Sequence, residues 1–250
     1  MMLLLLLISA FLLVSWAGAG RITGGSEAKA HSWTCMARLL IQNVSDESAC
    51  GGFLIHQDAV LSAAPCVAGI MNITLILGDH NVKRKELSQQ KFHVGRWVIH
   101  PNYSGNILGS PPTHFPSPMN LFPLPMLSLL GTVCKVAGWG EAPITGETSN
   151  VLMERDLKVQ CEEMCEMPFK HYQPVPTICA GDENGKKTTF HGHSGGPLVC
   201  NGKAHGIVSS KHEYCIFSEV FTRVSYFEPW IHEELRKFAL QDLPDSPSPK

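Results

Sequence analysis

The stretch Lys187-Thr-Thr-Phe-His-Gly-His-Ser-Gly-Gly-Pro197 decides the fold, and it leads directly into Leu198-Val-Cys200. Ser194 lies in a glycine-rich turn just before an apolar run of strand length. A serine hydroxyl becomes a nucleophile only when an adjacent base takes its proton and a third group orients that base. The function of the chain therefore depends on the partners of Ser194.

The composition is that of a globular chain with a core. Of the 250 residues, 44% are hydrophobic and 17% are charged, which suits one all-β unit or two small halves. The formal net charge of −2 gives no electrostatic basis for binding nucleic acid or an anionic membrane. The dense basic cluster Lys83-Arg84-Lys85 is followed directly by Glu86, and we interpret it as a solvated loop.

The N-terminal residues predict export. The first twenty residues carry no charge, Leu3 to Val14 is an apolar block, and Ala17-Gly18-Ala19 follows it. This pattern indicates a signal peptide over residues 1–19, so we expect a secreted or secretory-granule protein. No second apolar segment is long enough to span a bilayer, so we expect no membrane span.

Cysteines and glycosylation sequons agree with export. The nine cysteines of a secreted chain predict disulfides and at least one unpaired thiol. Three Asn-x-Ser/Thr sequons begin at Asn43, Asn72 and Asn102, and each is a predicted glycan site.

Short apolar runs between turn signals predict an all-β fold, a barrel or a sandwich. The runs are Met36–Ile41, Gly52–Ile55, Ala59–Ala64, Ile73–Leu77, Trp97–Ile99, Cys134–Ala137, Pro197–Cys200 and Ala204–Val208.

One helix is predicted near the C-terminus. Apolar residues recur there at three- and four-residue spacing, opposite a face that carries Glu233, Glu234, Arg236 and Lys237. We expect this helix to dock on the core through Phe227, Trp230, Ile231, Leu235 and Phe238. Residues 241–250 hold three prolines and are predicted to be a disordered tail.

The segment from Gly109 to Pro125 is rich in proline. Its six prolines lack backbone N–H donors, so no interior strand can run through it. We predict a loop or a sheet edge.

Several motifs together resemble the trypsin-like serine proteases over Ile22 to Leu240. They are Ile22-Thr-Gly-Gly25, Cys50-Gly-Gly52, Leu61-Ser-Ala-Ala-Pro-Cys66, Val136-Ala-Gly-Trp-Gly140, Gly192-His-Ser-Gly-Gly-Pro197 and Val220-Phe-Thr-Arg-Val224. Glu27-Ala-Lys-Ala-His-Ser32 and Lys187-Thr-Thr-Phe190 are most similar to the granule proteases, the granzymes and chymases. The resemblance implies two antiparallel β-barrels with the active site between them, a protease domain over residues 22–240, and a dipeptide propeptide at residues 20–21.

The same resemblance implies three disulfides, namely Cys50–Cys66, Cys134–Cys200 and Cys165–Cys179. Cys35, Cys161 and Cys215 have no partner in this pattern. Cys215 lacks one because Phe190 stands where many relatives have a cysteine. The neighbouring Cys161 could compete with Cys165, and the sequence leaves that choice open.

The resemblance also shows which catalytic groups are missing. Where the family has the histidine base, this chain has Pro65, which has no proton acceptor. Between Leu87 and Gly140 there is no Asp or Glu, so the strand that should carry the orienting carboxylate is absent. The completeness of the first barrel is therefore open.

The serine turn itself has lost its acid. His193 replaces the aspartate that pairs in the family with the new N-terminal ammonium, here that of Ile22. Ser194 keeps the nucleophile position and is expected to be inert. Gly192 and Ser194 would be the oxyanion donors.

The implied specificity pocket is altered as well. Thr188 corresponds to the bottom of this pocket, where it offers no carboxylate to a basic substrate side chain. At its edge, Ser209 and Lys211 stand in the segment that pairs with the substrate backbone, and Lys211 fills space that glycine leaves open.

We therefore expect a catalytically inactive binding or regulatory protein, monomeric, with an unknown protein partner, no cofactor and no metal. One alternative is a weak serine endopeptidase that uses a substitute base such as His191. Other histidines, such as His56 and His80, are expected at the surface. A second alternative is a poorly folding gene product.

Overall fold

The computed structural model describes residues 25–42, 47–68, 72–101, 103, 116–117, 129–140, 148–166, 169, 172–181, 194–209 and 218–241. The predicted signal peptide (1–19), the propeptide dipeptide (20–21), the sequons at Asn43 and Asn102, Cys215, and residues 242–250 of the predicted tail lie outside these residues.

The described residues form two antiparallel sheets and two α-helices. In chain order they are β1 (Ser26–Glu27), β2 (Met36–Gln42), β3 (Glu47–Leu61), β4 (Asn72–Leu77), β5 (Gln90–His93), β6 (Pro116–Ser117), β7 (Val133–Gly138), β8 (Met153–Val159), α1 (Glu163–Glu166), β9 (Thr177–Gly181), β10 (Pro197–Cys200), β11 (Lys203–Val208), β12 (Ser218–Arg223) and α2 (Val224–Gln241). A short 3-10 helix, Ala64–Cys66, follows β3.

The second sheet is a closed barrel. Its order is β1-β8-β7-β10-β11-β12-β9, and a further pairing of β8 with β9 closes a ring of six strands. Alternate residues of β8 face inward, as the period of a strand requires: Met153, Leu157 and Val159 are buried, and Asp156 is exposed. The predicted two-barrel, all-β fold is thus confirmed for this half.

The first sheet curls without closing. Its order is β5-β4-β2-β3-β6, so within the described residues β5 and β6 are its edges. Of the proline-rich segment, the structure describes the two residues of β6, which pair with β3 at His56 and Asp58. The prediction of a loop or an edge is confirmed there. The first barrel is a half-barrel because no described strand bridges β5 and β6.

The C-terminal helix docks on the first half-barrel, as predicted. Val224, Phe227 and Ile231 are buried in the same cluster as residues of β2, β3 and β4. Trp230 and Leu235 pack against that cluster more shallowly. Glu234 departs from the prediction, since it is buried rather than solvated, and its Oε1 lies 2.8 Å from Lys237 Nζ.

Some predicted strand bounds were wrong. Gly52–Ile55 and the first half of Ala59–Ala64 belong to the single strand β3, which ends at Leu61. Trp97–Ile99 is not a strand; Trp97 and Ile99 pack against the core of the half-barrel instead. Strands β1, β5, β8, β9 and β12 were not predicted. β5 is fully exposed, and β8 and β12 mix apolar with charged residues.

The three implied disulfides are present: Cys50–Cys66, Cys134–Cys200 and Cys165–Cys179. Cys161 therefore does not displace Cys165, and its thiol is free and exposed. Cys35 is free and half-buried. Within the described part of the chain, no helix is long and apolar enough to cross a membrane.

We expect Ile231→Ala to lower the free energy of unfolding by about 2–5 kcal/mol, because it removes a buried side chain that joins α2 to the half-barrel. His232→Ala, at an exposed neighbouring position, should change it by less than about 0.5 kcal/mol. Urea denaturation of both variants measures the difference. Equal midpoints would show that α2 does not stabilise the fold by docking.

Candidate active site

The turn that carries Ser194 lies at the contact of the two sheets. The Gly51 amide on β3 donates to the Ser194 carbonyl at 2.8 Å. On the other side, the Gly195 amide donates to the Val208 carbonyl at 2.7 Å, and the Val208 amide donates to the Gly196 carbonyl at 2.9 Å. Ser194 itself is half-buried. The serine turn is therefore fixed from both sheets by its own backbone.

Glycine is required next to the serine. Gly195 has φ +90°, and a Cβ there would lie 2.2 Å from the Gly51 carbonyl oxygen and 2.3 Å from Ser62 Oγ. Ser62 is fully buried and donates to that same carbonyl at 2.8 Å. The Ser-Gly-Gly sequence thus satisfies a steric requirement of the turn.

Pro65 lies beside this turn. It is the exposed middle residue of the 3-10 helix Ala64–Cys66, between two buried neighbours. Cys66 is held by its disulfide to Cys50, and its Sγ lies 3.7 Å from the Ser194 carbonyl oxygen. The structure therefore brings together the two positions that the sequence singled out, a serine and the proline in place of a base.

None of the described histidines is hydrogen-bonded to Ser194. His80 is buried, contrary to the expectation of a surface site, and its Nε2 lies 3.0 Å from Glu27 Oε1. His205 is also buried, and burial lowers its pKa, with further lowering by Lys203 and Arg223. His56 is exposed, as expected. Within the described residues, Ser194 has no hydrogen bond to a histidine side chain.

The specificity-pocket residues are described only in part. Ser209 follows β11 directly and is buried, and its Oγ has no hydrogen-bond partner within the described residues. Thr188, His191, Gly192, His193 and Lys211 lie outside the described residues.

A buried carboxyl group near the turn was missed at the sequence level. Glu219 lies on β12, two residues before Phe221, which pairs with Val208. Its Oε1 is buried and has no hydrogen-bond partner in the described part of the chain. Burial raises the pKa of Glu219 to about 8, and the charge of Arg155 partly opposes this. The signal was a single glutamate directly before the apolar pair Val220-Phe221.

Comparison with known proteins settles the ancestry. The family model described as Trypsin matches residues 22–231. The chain belongs to the trypsin family. It is 42% identical to duodenase-1 of Bos taurus, with 96% of this chain and 99% of that protein covered. It is 41% identical to cathepsin G of Homo sapiens, over 97% of this chain and 98% of the relative.

A solved structure described as "Structure of GrC" agrees. The two structures superpose with a TM-score of 0.76 at 34% sequence identity, and the match covers 85% of this chain and 99% of the solved one. The family fold is therefore present, and the described residues around Ser194 occupy it with Pro65 on the adjacent 3-10 helix.

We expect Gly195→Ala to disrupt the serine turn, because both the positive φ and the contact with the Gly51 carbonyl oppose a Cβ. Gly202→Ala is the matched control, since Gly202 has φ +73° and nothing within 4 Å of its Cβ position. The control should cost about 1–2 kcal/mol, and Gly195→Ala clearly more. Thermal unfolding of both variants measures this. Equal losses would show that the turn tolerates a side chain.

We expect the free energy of unfolding to fall as pH rises from 4.5 to about 8, because folded Glu219 keeps a proton that the unfolded chain releases. The slope from this one group is at most about 1.4 kcal/mol per pH unit. Glu219→Gln should flatten the profile, whereas the exposed Glu233→Gln should leave it unchanged. Urea unfolding at pH 5, 6.5 and 8 tests this, and a Glu219→Gln profile as steep as the parent's would contradict it.

Proposed function

We propose that the chain is a secreted trypsin-family protein without peptidase activity, which acts by binding another protein. The observation that carries this is Pro65, exposed on the disulfide-held 3-10 helix next to Ser194. At this position the side chain would have to accept the serine proton. The proline side chain is a hydrocarbon, and its ring nitrogen is a peptide nitrogen whose lone pair is delocalised into the carbonyl group.

Two sequence features support the same conclusion. No Asp or Glu occurs between Leu87 and Gly140, so no carboxylate follows β5 to orient a base. His193 cannot form the ion pair that an aspartate would make with the ammonium of Ile22, and a protonated imidazole would repel it. In another serine protease, loss of the base alone lowers kcat about 10⁶-fold. Here base, carboxylate and ion pair are replaced together.

The rest of the proposal concerns processing. Three disulfides agree with an oxidising compartment, as secretion or storage in granules would provide. Asn72 is exposed at the start of β4, where a glycan could be attached. Cleavage after residue 19 and after residue 21 would produce a chain that begins at Ile22.

We expect the protein that begins at Ile22 to remain unlabelled by a fluorophosphonate probe and to cleave no member of a broad peptide library. The reason is that Ser194 lacks a proton acceptor within hydrogen-bond reach in the described residues. Mass spectrometry of the probe-treated protein measures labelling, with Ser194→Ala as the control. Labelling that Ser194→Ala abolishes would overturn the proposal.

Two further arms separate the alternatives. Activity that disappears in His191→Ala would establish a substitute base and a weak endopeptidase. Pro65→His restores an imidazole without its carboxylate, and we expect no activity from it either. Poor secretion without a cooperative unfolding transition would identify a poorly folding product instead.

A further inference from the structure

The free edge of the half-barrel has the features of a strand-binding site. Within the described residues, β5 pairs only with β4, from Thr74 opposite His93 to Leu77 opposite Gln90. All four residues of β5 are exposed. Alternate residues of an edge strand turn their N–H and C=O groups away from the sheet, where another chain can pair with them. We call Gln90–His93 the β5 edge.

The two faces of the β5 edge differ in chemistry. Phe92 lies opposite the buried Leu75 and is still 45% exposed. Lys91, its neighbour, points to the other face, because successive side chains of a strand alternate. A strand added beside β5 would therefore meet an aromatic ring on one face and a cation on the other. This pattern fits a segment that alternates apolar and acidic residues.

The hairpin loop before β5 adds positive charge. Lys83, Arg84 and Lys85, the basic loop, are all exposed, and none forms an ion pair within the described residues. The carboxylate of Glu86 is turned inward, since its Oε2 accepts from the His80 amide at 2.8 Å. The basic loop thus exposes three cations to solvent, and none of them is paired with a carboxylate among the described residues.

The loop is also fixed in shape, which lowers the entropy cost of binding. Gln89 Nε2 donates to Asp79 Oδ1 at 2.7 Å, and Asp79 Oδ2 lies 2.8 Å from Arg38 Nε on β2. Ser88 Oγ donates to the Gly78 carbonyl at 2.9 Å. The hairpin that carries the basic loop is therefore held by side-chain contacts to β2 and across its own base, in addition to the pairing of β4 with β5.

We propose that the β5 edge and the basic loop bind an extended acidic segment of a partner protein as an added strand. Charge selects this occupant over a second copy of the chain, because the β5 edge carries Lys91 and no acidic residue that could lie opposite a cation. The edge is three strands from β3, which contacts Ser194, or about 14 Å across the sheet. The inference rests on the binding role proposed above, and it does not require Ser194 to be inert.

The probe is a labelled eight-residue peptide of alternating glutamate and valine, added to the full secreted protein and followed by fluorescence anisotropy. We expect binding that weakens as salt rises, and no binding of an alternating lysine and valine peptide. Two further peptides carry N-methyl groups, one on all glutamates and one on all valines. Only alternate N–H groups of an added strand face β5, so we expect one of these two peptides to lose binding and the other to keep it. Equal binding of the lysine peptide, or of both methylated peptides, would overturn strand addition.

Matched variants test the residues. The double variant Lys85→Glu with Lys91→Glu should bind the peptide at least tenfold more weakly than the parent. Lys29→Glu makes the same charge change at an exposed position outside the hairpin, and it should bind within twofold of the parent. Cooperative unfolding of each variant verifies folding. A double variant that folds and binds like the parent overturns the proposal.

Hydrogen exchange identifies the occupant. The glutamate–valine peptide should slow amide exchange within Gln90–His93. If all of these amides are already protected in the free protein, another part of the chain covers the β5 edge and the proposal is wrong. Self-association in sedimentation that the double variant removes would show a second copy there. If the fluorophosphonate labels Ser194 and the peptide still binds, only the proposed inactivity is refuted. If Ser194 stays unlabelled and the peptide does not bind, only the proposed interface is refuted.

Discussion

One close backbone approach joins the two sheets, and the site is built around it. Gly51 on β3 and the turn at Ser194 come so near that a Cβ on Gly51 would lie 3.1 Å from the Gly196 amide nitrogen. The Gly51 amide donates into the turn, while its carbonyl accepts from the buried Ser62. The half-barrel and the closed barrel thus meet through main chain, with glycine on both sides, where a Cβ would be crowded at Gly51 and would clash at Gly195.

This contact shows which features of the serine turn the fold itself requires. Gly195 is required by geometry, so its loss would displace backbone from both sheets. Pro65 is exposed, so the fold places little constraint on the side chain at this position, and proline suits the start of a short helix. The serine turn is held by packing constraints that do not involve the proton acceptor. The resemblance of the turn therefore identifies the family without identifying an activity.

The sequence predicted the parts of the molecule that follow local rules. The apolar runs predicted the strands β2, β4, β7, β10 and β11. The spacing of Phe227 and Ile231 predicted the helix α2, and the family resemblance implied the three disulfides. It missed β8, because Arg155 and Glu154 interrupt the apolar run although alternate residues face inward. It missed Glu219, since its burial depends on the pairing of β12 with distant strands. The incomplete half-barrel was foreseen only as an open question, because sheet closure is a property of the whole chain.

The position of α2 in the chain has a consequence for biosynthesis. Val224, Phe227 and Ile231 complete the core of a sheet whose strands begin at Met36. During translation the strands of the half-barrel emerge well before α2, the helix that packs against them. The N-terminal sheet must therefore wait, partly unburied, for a helix almost 200 residues downstream in the chain. The apolar face of this sheet is therefore expected to stay uncovered until α2 has been synthesised, and chaperones would encounter it in that state.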